Sequence, residues 1–308
     1  MTVNSAFAIV NLHSAGGATE RLWPQLARKL QAAGIVVEAR FTGGPGHAAE
    51  LTRDALKDGA RKILVVGGDG TMNEVINGFF EGEEPLATDA AIGMLCRGTG
   101  CDLIRTLGIP RDDDGAIRLL ATGQPRPIDV GRVRFVNRQG KAEIRYFANI
   151  AEAGLGGAVV KRVNDGSKAL GGTATFLLAS LASFATYRNS PAEIVIDGSY
   201  VRNVQLCNAV IANGRYFGGG MKIVPDADPA DGQLDVVLMG DLGRVELFAN
   251  IARVYAGTHL GHPKVERFSA RTVRITSPIP LPLDLDGEAA GTTPAEFEIV
   301  PGAISVIC

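Results

Sequence analysis

The stretch KILVVGGDGTMNEVINGF, residues 62–79, predicts how the N-terminal part of this 308-residue chain folds. Residues 62–66 form a short aliphatic run, which is typical of a buried parallel strand. They lead directly into Gly67-Gly68-Asp69-Gly70, and apolar residues then recur at helical spacing, at Met72, Val75, Ile76 and Phe79. Thr71 and Glu74 have the spacing of a capping box, which predicts that the helix begins at Thr71. The stretch therefore predicts a strand, a glycine turn and a helix.

The first 125 residues repeat this alternation of strand and helix. The aliphatic runs FAIVNL, IVVEARF and AAIGMLC are separated by helical patterns, including one from about Glu20 to Ala33 and one after Pro45. Such alternation indicates a mostly parallel sheet covered by helices. Ligands usually bind these sheets at the carboxyl ends of the strands, so the loops that follow the strands are the candidate binding sites.

Near Ile128 the pattern changes to short strands of alternating polarity, such as IDVGRVRFV, AEIVIDGSYV and AEFEIV. This pattern predicts a second, mainly antiparallel β domain with a few helices. The length also favours two domains, because single hydrophobic cores stop growing at about 250 to 300 residues. We expect an α/β domain at residues 1–127 and a β-rich domain at residues 128–308, with room for the last segment to pack back on the first domain.

Composition narrows the classes of partner. The formal net charge of −2 argues against nucleic acid, because phosphate backbones are bound by clustered positive charge. The four cysteines have no Cys-x-x-Cys spacing, so we expect neither a disulfide framework nor a zinc site, and a reducing cytoplasm is favoured. The N-terminal residues lack the pattern of a signal peptide. The most apolar run, residues 173–187, is diluted by Ser and Thr, so any membrane contact should be peripheral.

The glycines of the first loop favour a phosphate-containing ligand. Three glycines in four residues predict positive φ angles and a close approach of the backbone to a ligand, and the N-terminus of the following helix attracts anions. Asp69 would repel phosphate, so we interpret it as facing a metal ion, a hydroxyl or a water. A tight turn that binds nothing is the alternative.

A second glycine loop follows the next strand. Gly98-Thr99-Gly100 precedes a short helical pattern that opens at Asp102, and Thr42 begins another glycine-rich loop after an earlier strand. We expect three adjacent glycine loops at one edge of the sheet, which favours a bound ligand over ligand-free turns.

The second half carries two acidic motifs. In LPLDLDGE, residues 281–288, leucines alternate with Asp284, Asp286 and Glu288, so an extended strand would project the carboxylates together. A plain Asp-Gly hairpin turn is the alternative. In PDADPADGQLD, residues 225–235, four aspartates form either a metal-binding loop or a solvated acidic turn.

These motifs, in this order, resemble the diacylglycerol kinase catalytic-domain family, which includes soluble bacterial lipid kinases and the sphingosine and ceramide kinases. The resemblance spans nearly the whole chain and rests on GGDGTMNEVING, GTG-D, IDVG, GRYFGGGMKIVPDADPADGQLDVV and LDGE. It implies an α/β N-terminal domain similar to NAD kinases and phosphofructokinases and a mainly antiparallel, lipid-binding β domain. It also implies ATP and Mg²⁺ as cofactors, a membrane lipid as substrate, and a cytoplasmic enzyme associated with the inner face of the membrane. A homodimer is left open.

The resemblance implies roles for individual residues. Glu288 would be the first choice for the catalytic base, with Asp286 and Asp69 as further catalytic carboxylates. A Mg²⁺ separate from the one on ATP would be held by Asp231 with the backbone of Asp228 and Gln233. The residues expected to contact the nucleotide are Asn11, Thr42, Gly67, Gly68, Asp69, Gly70, Thr71, Met72, Asn73, Glu74, Gly98 and Thr99.

The chain departs from the family pattern at two places. The usual N-P-x-S-G is Asn11-Leu12-His13-Ser14-Ala15 here, and Cys101 replaces the Asn of G-T-x-N-D. The expected function is transfer of the γ-phosphate of ATP to a hydroxyl of a diacylglycerol-like lipid, a ceramide or sphingoid base, or phosphatidylglycerol. An NAD kinase-like enzyme, or a non-catalytic lipid or nucleotide sensor on the same scaffold, is the alternative.

Overall fold

The computed structural model describes residues 4–165 and 172–308, and the chain divides into two compact units. The first unit extends to Ile128 and includes Gly302–Cys308. The second unit is Asp129–Pro301. The change of unit lies one residue from the position expected from the sequence, and the last seven residues of the chain group with the first unit.

The first unit is an α/β domain, and this part of the expected fold class is confirmed. Its strands are β1 (Asn4–Val10), β2 (Ile35–Phe41), β3 (Lys62–Gly67), β4 (Phe80–Glu81), β5 (Glu84–Pro85) and β6 (Ala91–Cys96). Its helices are α1 (Ala18–Ala32), α2 (His47–Lys57), α3 (Asp69–Gly78), α4 (Asp102–Leu107) and α5 (Asp113–Thr122), with a 3-10 turn at Ser14–Gly17.

The sheet of the first unit has the strand order β6-β3-β1-β2, and these strands are parallel. Near the end of the chain, Ser305 and Val306 add a further parallel pairing on β6. The aliphatic residues of β3 and β6 are buried, as expected of central parallel strands, because both faces of such a sheet are covered.

The second unit is mainly antiparallel, which confirms the rest of the expected fold class. Its strands are β7 (Pro125–Asn137, which starts in the first unit), β8 (Ala142–Phe147), β9 (Ile150–Gly154), β10 (Ser190–Ile196), β11 (Tyr200–Leu206), β12 (Asn208–Ala212), β13 (Tyr216–Phe217), β14 (Met221–Lys222), β15 (Leu234–Met239), β16 (Val265–Ala270), β17 (Thr272–Thr276), β18 (Pro282–Leu285) and β19 (Glu288–Ile307, whose last residues lie in the first unit). Its helices are α6 (Leu155–Asp165), α7 (Gly172–Thr186) and α8 (Arg244–Ala256), with a 3-10 turn at His259–Gly261.

Three sets of neighbouring strands that meet at β19 form most of this second unit. One follows the order β16-β15-β12-β9-β18-β19, a second links β11, β10 and β17 to β19, and a third links β8 and β7 to β19. Their apolar side chains form one core that includes Leu281, Leu283 and Leu285, so the leucines of LPLDLDGE lie on a buried face as predicted. None of the helices within the described residues is long and apolar enough to cross a membrane.

The start of α3 differs from the prediction. The helix begins at Asp69, after Gly68, and the capping box expected from Thr71 and Glu74 does not form. The Thr71 hydroxyl instead accepts a hydrogen bond from the Asn11 side chain at 3.0 Å, and the Glu74 carboxylate accepts one from the backbone N–H of Ala48 at 3.0 Å. Contacts to other elements therefore use both side chains that a local cap would have needed.

Candidate active site

The predicted nucleotide loops lie at one edge of the first unit's sheet, at the carboxyl ends of its parallel strands. Asn11 follows β1, Thr42 follows β2, and Gly98 follows β6, while Gly67 ends β3. The loops after β3 and β6 are adjacent because these strands pair directly. The loop at Thr42 is not adjacent to them, since β1 lies between β2 and β3, so the expectation of three adjacent glycine loops is wrong for that loop.

The glycines of these two loops are needed for close packing rather than for positive φ angles. None of Gly67, Gly68, Gly70, Gly98 and Gly100 has a positive φ, so that expectation is wrong. A Cβ atom on Gly98 would lie 2.7 Å from the Gly68 Cα, and one on Gly67 would lie 2.5 Å from the Thr71 Oγ1. The glycines therefore let two loop backbones touch, which brings their backbone atoms to one small area of the edge.

Asp69 joins the two loops. One carboxylate oxygen accepts the backbone N–H of Cys101 at 2.6 Å, and the other accepts that of Asp102 at 3.0 Å. Each N–H lies at the start of α4, where backbone donors have no partner within the helix. The interpretation of Asp69 as facing a metal ion, a hydroxyl or a water did not foresee this, because these oxygens face backbone N–H groups.

Three of the residues expected to contact a nucleotide, Thr71, Met72 and Asn73, have buried side chains. Met72 is 2 % exposed and Asn73 is 4 % exposed, and the Met72 N–H is bonded to the Gly68 carbonyl oxygen at 3.1 Å. These side chains therefore belong to the interior of the α/β unit. The Asn11 amide, by its bond to Thr71, ties the end of β1 to the first turn of α3.

Two of the three residues that depart from the family motifs, Ala15 and Cys101 but not Leu12, lie on left-handed backbone. Ala15 has a φ of 53° and Cys101 a φ of 52°, a region that glycine and asparagine tolerate better than other residues. The Gly and Asn of the motifs thus match what the backbone requires. Cys101 lies beside Cys96, with their Cα atoms 6.3 Å apart. The left-handed turn at Cys101 brings its side chain back to the end of β6.

The Asp-Gly sequence of LPLDLDGE forms the hairpin turn between β18 and β19. Asp286 and Gly287 have φ angles of 49° and 90°, which is typical of a two-residue turn with both central residues left-handed. The Asp286 carboxylate accepts the backbone N–H groups of Ala148, Asn149 and Ile150 at 3.0, 3.1 and 2.8 Å. Asp286 therefore anchors the turn to the segment that leads into β9.

Glu288, directly after the turn, lies in a different environment. Its side chain is 38 % exposed, and one carboxylate oxygen lies 3.6 Å from a guanidinium nitrogen of Arg145. Arg145 also pairs with Glu143 at 2.5 Å, so one cation lies between two carboxylates. The sequence near Arg145 does not indicate this contact, because its neighbour Glu288 is distant in sequence. The exposed carboxylate and the arginine form the part of this turn that a substrate can reach.

Asp284 lies on the opposite side of β18 from the leucines and is buried against Glu152 of β9. The two residues are direct partners in the antiparallel pairing of β18 with β9. Burial raises the pKa of both carboxyl groups, and repulsion from Glu152 and Asp286 raises the pKa of Asp284 further. The three carboxylates of LPLDLDGE therefore do not form one cluster, as alternation alone had suggested.

The acidic loop at residues 226–235 packs on Asp129. The Asp129 carboxylate accepts the N–H of Gly232 at 2.7 Å, and Asp231 accepts the N–H of Gln233 at 3.0 Å. Burial raises the pKa of Asp231, and repulsion from Asp228 and Asp129 adds to this effect. Across residues 4–165 and 172–308, no group of three or more His, Cys, Asp or Glu side chains could hold a metal ion. A cation here would need backbone oxygens among its ligands.

Two family models match the chain. Residues 5–133 match the diacylglycerol kinase catalytic domain, and residues 149–308 match the YegS C-terminal NAD kinase beta sandwich-like domain. A diacylglycerol kinase of Bacillus subtilis is 30 % identical over 275 residues, covering 89 % of this chain and 86 % of the relative. A diacylglycerol kinase of Mycobacterium tuberculosis is 28 % identical over 307 residues, covering 99 % and 95 %.

Solved structures are similar in fold. A crystal structure of a diacylglycerol kinase from Bacillus anthracis has a TM-score of 0.74 at 21 % identity and covers 100 % of this chain and 97 % of that one. Yeast NADH kinase complexed with NADH has a TM-score of 0.50 at 10 % identity and covers 99 % and 83 %. With the family models and the bacterial relatives, the resemblance read from the sequence is confirmed: the chain belongs to the diacylglycerol kinase family and is a kinase.

Proposed function

We propose that this kinase transfers the γ-phosphate of ATP to a hydroxyl group of a membrane lipid. The observation that carries the proposal is the turn at Asp286–Gly287, which fixes one carboxylate by three backbone N–H groups and leaves Glu288 exposed beside Arg145. An exposed carboxylate on a rigid turn can accept a proton from an alcohol. The relatives named diacylglycerol kinase support a lipid as the alcohol.

In this mechanism Glu288 takes or orients the proton of the lipid hydroxyl as its oxygen attacks the γ-phosphate. Asp286 holds the turn through its backbone contacts and so positions Glu288. Phosphoryl transfer depends mainly on positioning and on electrostatic stabilisation, so fixing the base matters more than raising its basicity. Arg145 places a guanidinium group 3.6 Å from this carboxylate.

We assign ATP binding to the loops at the carboxyl edge of the first unit. The touching backbones at Gly68 and Gly98 and the N-terminus of α3 support this, since backbone N–H groups and a helix N-terminus attract phosphate. Thr42, Thr71 and Thr99 lie at or near this edge and can add hydroxyl contacts. Asn11 contributes by orienting the Thr71 hydroxyl.

We propose Mg²⁺ as the second cofactor. An ion bound to ATP would neutralise part of the negative charge on the phosphate oxygens. A second ion would be held by the Asp231 carboxylate with the backbone carbonyls of Asp228 and Gln233. The raised pKa of Asp231, caused by burial and by Asp228 and Asp129, supports this because a cation would relieve the repulsion. Adding Mg²⁺ should raise the melting temperature of the wild type and not that of Asp231→Asn; an equal rise in both would refute the site.

We further propose that the enzyme contacts an anionic bilayer through helices α7 and α8. The contact surface, called here the α7–α8 surface, consists of exposed apolar side chains at helical spacing: Leu178, Leu181, Val245, Phe248 and Tyr255. Val245 is 82 % exposed, and the rings of Phe184 and Phe248 join the two helices at 5.7 Å. Amphipathic helices with an exposed apolar stripe bind membrane interfaces.

Charge favours a bilayer over another occupant of this surface. Arg244 and Arg253 are exposed on α8, and the acid in its first turn, Glu246, is paired with Lys264 at 2.7 Å. Cationic side chains beside an apolar stripe match an anionic lipid surface.

Sedimentation with vesicles tests this surface. Val245→Ser with Phe248→Ser should weaken binding to phosphatidylglycerol vesicles by about tenfold or more. Val36→Ser, at an apolar site on β2 that is 56 % exposed, should leave binding unchanged. Unchanged binding of the double variant would refute the proposal, and conversion of a dimer to a monomer would assign the surface to a second copy.

The acceptor is tested directly with γ-labelled ATP and separate acceptors: diacylglycerol, ceramide, a sphingoid base and phosphatidylglycerol in micelles, and NAD in solution. A labelled lipid would support the proposed reaction. Label on NAD alone would establish the NAD kinase alternative, and ATP binding with no transfer to any acceptor would favour the sensor.

A further inference from the structure

A buried polar chain runs from helix α6 to the Asp286–Gly287 turn. The Asn208 side-chain oxygen accepts the N–H of Gly156 at 3.0 Å, and its amide donates to the Glu152 carboxylate at 2.7 Å. Glu152 lies directly opposite Asp284 in the antiparallel pairing of β9 with β18, and the Asp284 carboxylate accepts the N–H of Gly287 at 2.8 Å. Hydrogen bonds thus lead to each of the two facing carboxyl groups, and the last member of the chain, Gly287, lies between Asp286 and Glu288.

The backbone leaves space for the side chains of Glu152 and Asp284, called here the pair. A Cβ atom on Gly156 would lie 2.3 Å from the carboxyl carbon of Glu152, so only glycine leaves room for this side chain. Glu152 is 2 % exposed and Asp284 is 4 % exposed. Two ionised carboxylates in contact at this depth would repel strongly, and burial of charge is costly without a partner of opposite sign.

We propose that Glu152 is a positioning residue that shares one proton with Asp284 and thereby fixes the Asp286–Gly287 turn for catalysis by Glu288. The inference rests on the proposed function, because it concerns how the same turn presents its base. One oxygen of Asp284 accepts from Gly287 and one oxygen of Glu152 accepts from Asn208, so a single proton shared between the two remaining oxygens completes the hydrogen-bond pattern.

The charged surroundings of the pair determine its response to pH. Asp286 is the third carboxylate that acts on Asp284. Asn208 on β12 and Gly156 of α6 contribute only uncharged groups, and the cations of α6, Lys161 and Arg162, are exposed. Among residues 4–165 and 172–308, no cation enters the hydrogen-bond pattern of the pair, and loss of the shared proton leaves two buried charges beside Asp286. The pair then no longer holds the Asp286–Gly287 turn in place.

Glu152→Gln separates proton sharing from packing. The glutamine keeps the acceptor for Asn208 and provides a permanent N–H donor to Asp284, so it mimics the protonated pair at every pH. We expect its turnover near pH 7 to stay within about twofold of wild type, because the hydrogen-bond chain remains complete. Glu152→Leu leaves Asn208 and Asp284 without their partner, and we expect its turnover to fall by about 10²-fold through misplacement of the turn.

The pH profile is the decisive kinetic measurement. Wild-type turnover should fall between about pH 6 and about pH 9 as the pair loses its proton, and Glu152→Gln should lack this fall. A Glu152→Gln profile identical to that of the wild type would overturn the positioning role, since a merely structural glutamate would not alter the profile.

Melting temperature provides a readout that needs no substrate. A carboxyl group with a raised pKa in the folded state binds its proton more tightly when folded, so stability declines as pH rises through that pKa. The wild type should lose more of its melting temperature than Glu152→Gln over the same pH range. Equal losses would refute proton sharing whether or not lipid is phosphorylated. If the losses are unequal but the protein phosphorylates no acceptor, the conclusion that Glu152 and Asp284 share a proton stands. The positioning role of Glu152 in catalysis and the proposed function are then both refuted.

Discussion

Replacing Asp286 by asparagine should lower the free energy of unfolding by about 2 to 5 kcal/mol. The carboxylate accepts three backbone N–H groups, from Asn149 and Ile150 on one oxygen and from Ala148 on the other. An amide keeps the first oxygen and turns an NH₂ group toward Ala148. That donor then loses its partner, which costs about 1 to 3 kcal/mol, and the two remaining bonds lose their charge assistance, at about 0.5 to 1 kcal/mol each.

The left-handed backbone adds nothing to this loss, because asparagine tolerates a positive φ as well as aspartate does. The chain also contains a matched control. Asp197 precedes Gly198 in the turn between β10 and β11 with a φ of 47°, and a single oxygen accepts the N–H groups of Arg271 and Thr272 at 2.9 Å each. Asp197→Asn keeps that oxygen, so it should cost about 1 to 2 kcal/mol at most.

Urea unfolding followed by circular dichroism measures both variants against the wild type. The midpoint should move clearly further for Asp286→Asn than for Asp197→Asn, with the slope unchanged. Equal shifts would show that the third N–H contact, to Ala148, contributes nothing, and the argument that Asp286 anchors the turn would fail.

Two further changes test the loops of the α/β unit by thermal unfolding. Gly98→Ala should destabilise the protein by about 1 to 3 kcal/mol and weaken ATP binding, because the added methyl group would lie 2.7 Å from the Gly68 Cα. Gly44→Ala is the control and should change neither stability nor ATP binding, because its methyl group would meet no atom within 4 Å. Equal effects of the two substitutions would refute loop contact as the reason for glycine at position 98. Ala15→Gly should stabilise the protein by about 0.5 to 1 kcal/mol, because it relieves a left-handed alanine with a φ of 53°, and a loss of stability would contradict that strain.

The fold could be predicted from the sequence because its signals are local. The aliphatic run at residues 62–66 and the helical spacing after Gly70 define a strand and a helix without any knowledge of their neighbours, and both form, although the helix begins at Asp69 rather than at Thr71. The alternation of Leu281, Leu283 and Leu285 likewise identified a buried face. Patterns of period two and period 3.6 report burial of one face, which is what the folded chain preserves.

The parts that sequence reasoning missed depend on contacts between distant segments. Asp69 bonds to backbone groups 32 and 33 residues later, which nothing near Asp69 indicates. The capping box failed because Thr71 and Glu74 found partners on other elements. Glu152 did leave a signal, since a lone carboxylate within the apolar strand IAEAG has to be paired when it is buried. Its partner, Asp284, could be identified only from the strand register.

The most direct test of the account compares Glu288→Gln with Glu143→Gln. Both glutamates lie beside Arg145, at 3.6 and 2.5 Å, but only Glu288 follows the Asp-Gly turn. With γ-labelled ATP and the lipid acceptor, Glu288→Gln should lower turnover by at least about 10²-fold while ATP affinity stays near that of the wild type. Glu143→Gln should retain most of the turnover. Near-normal phosphate transfer by Glu288→Gln, or an equal loss in both variants, would contradict the assignment of Glu288 as the catalytic base.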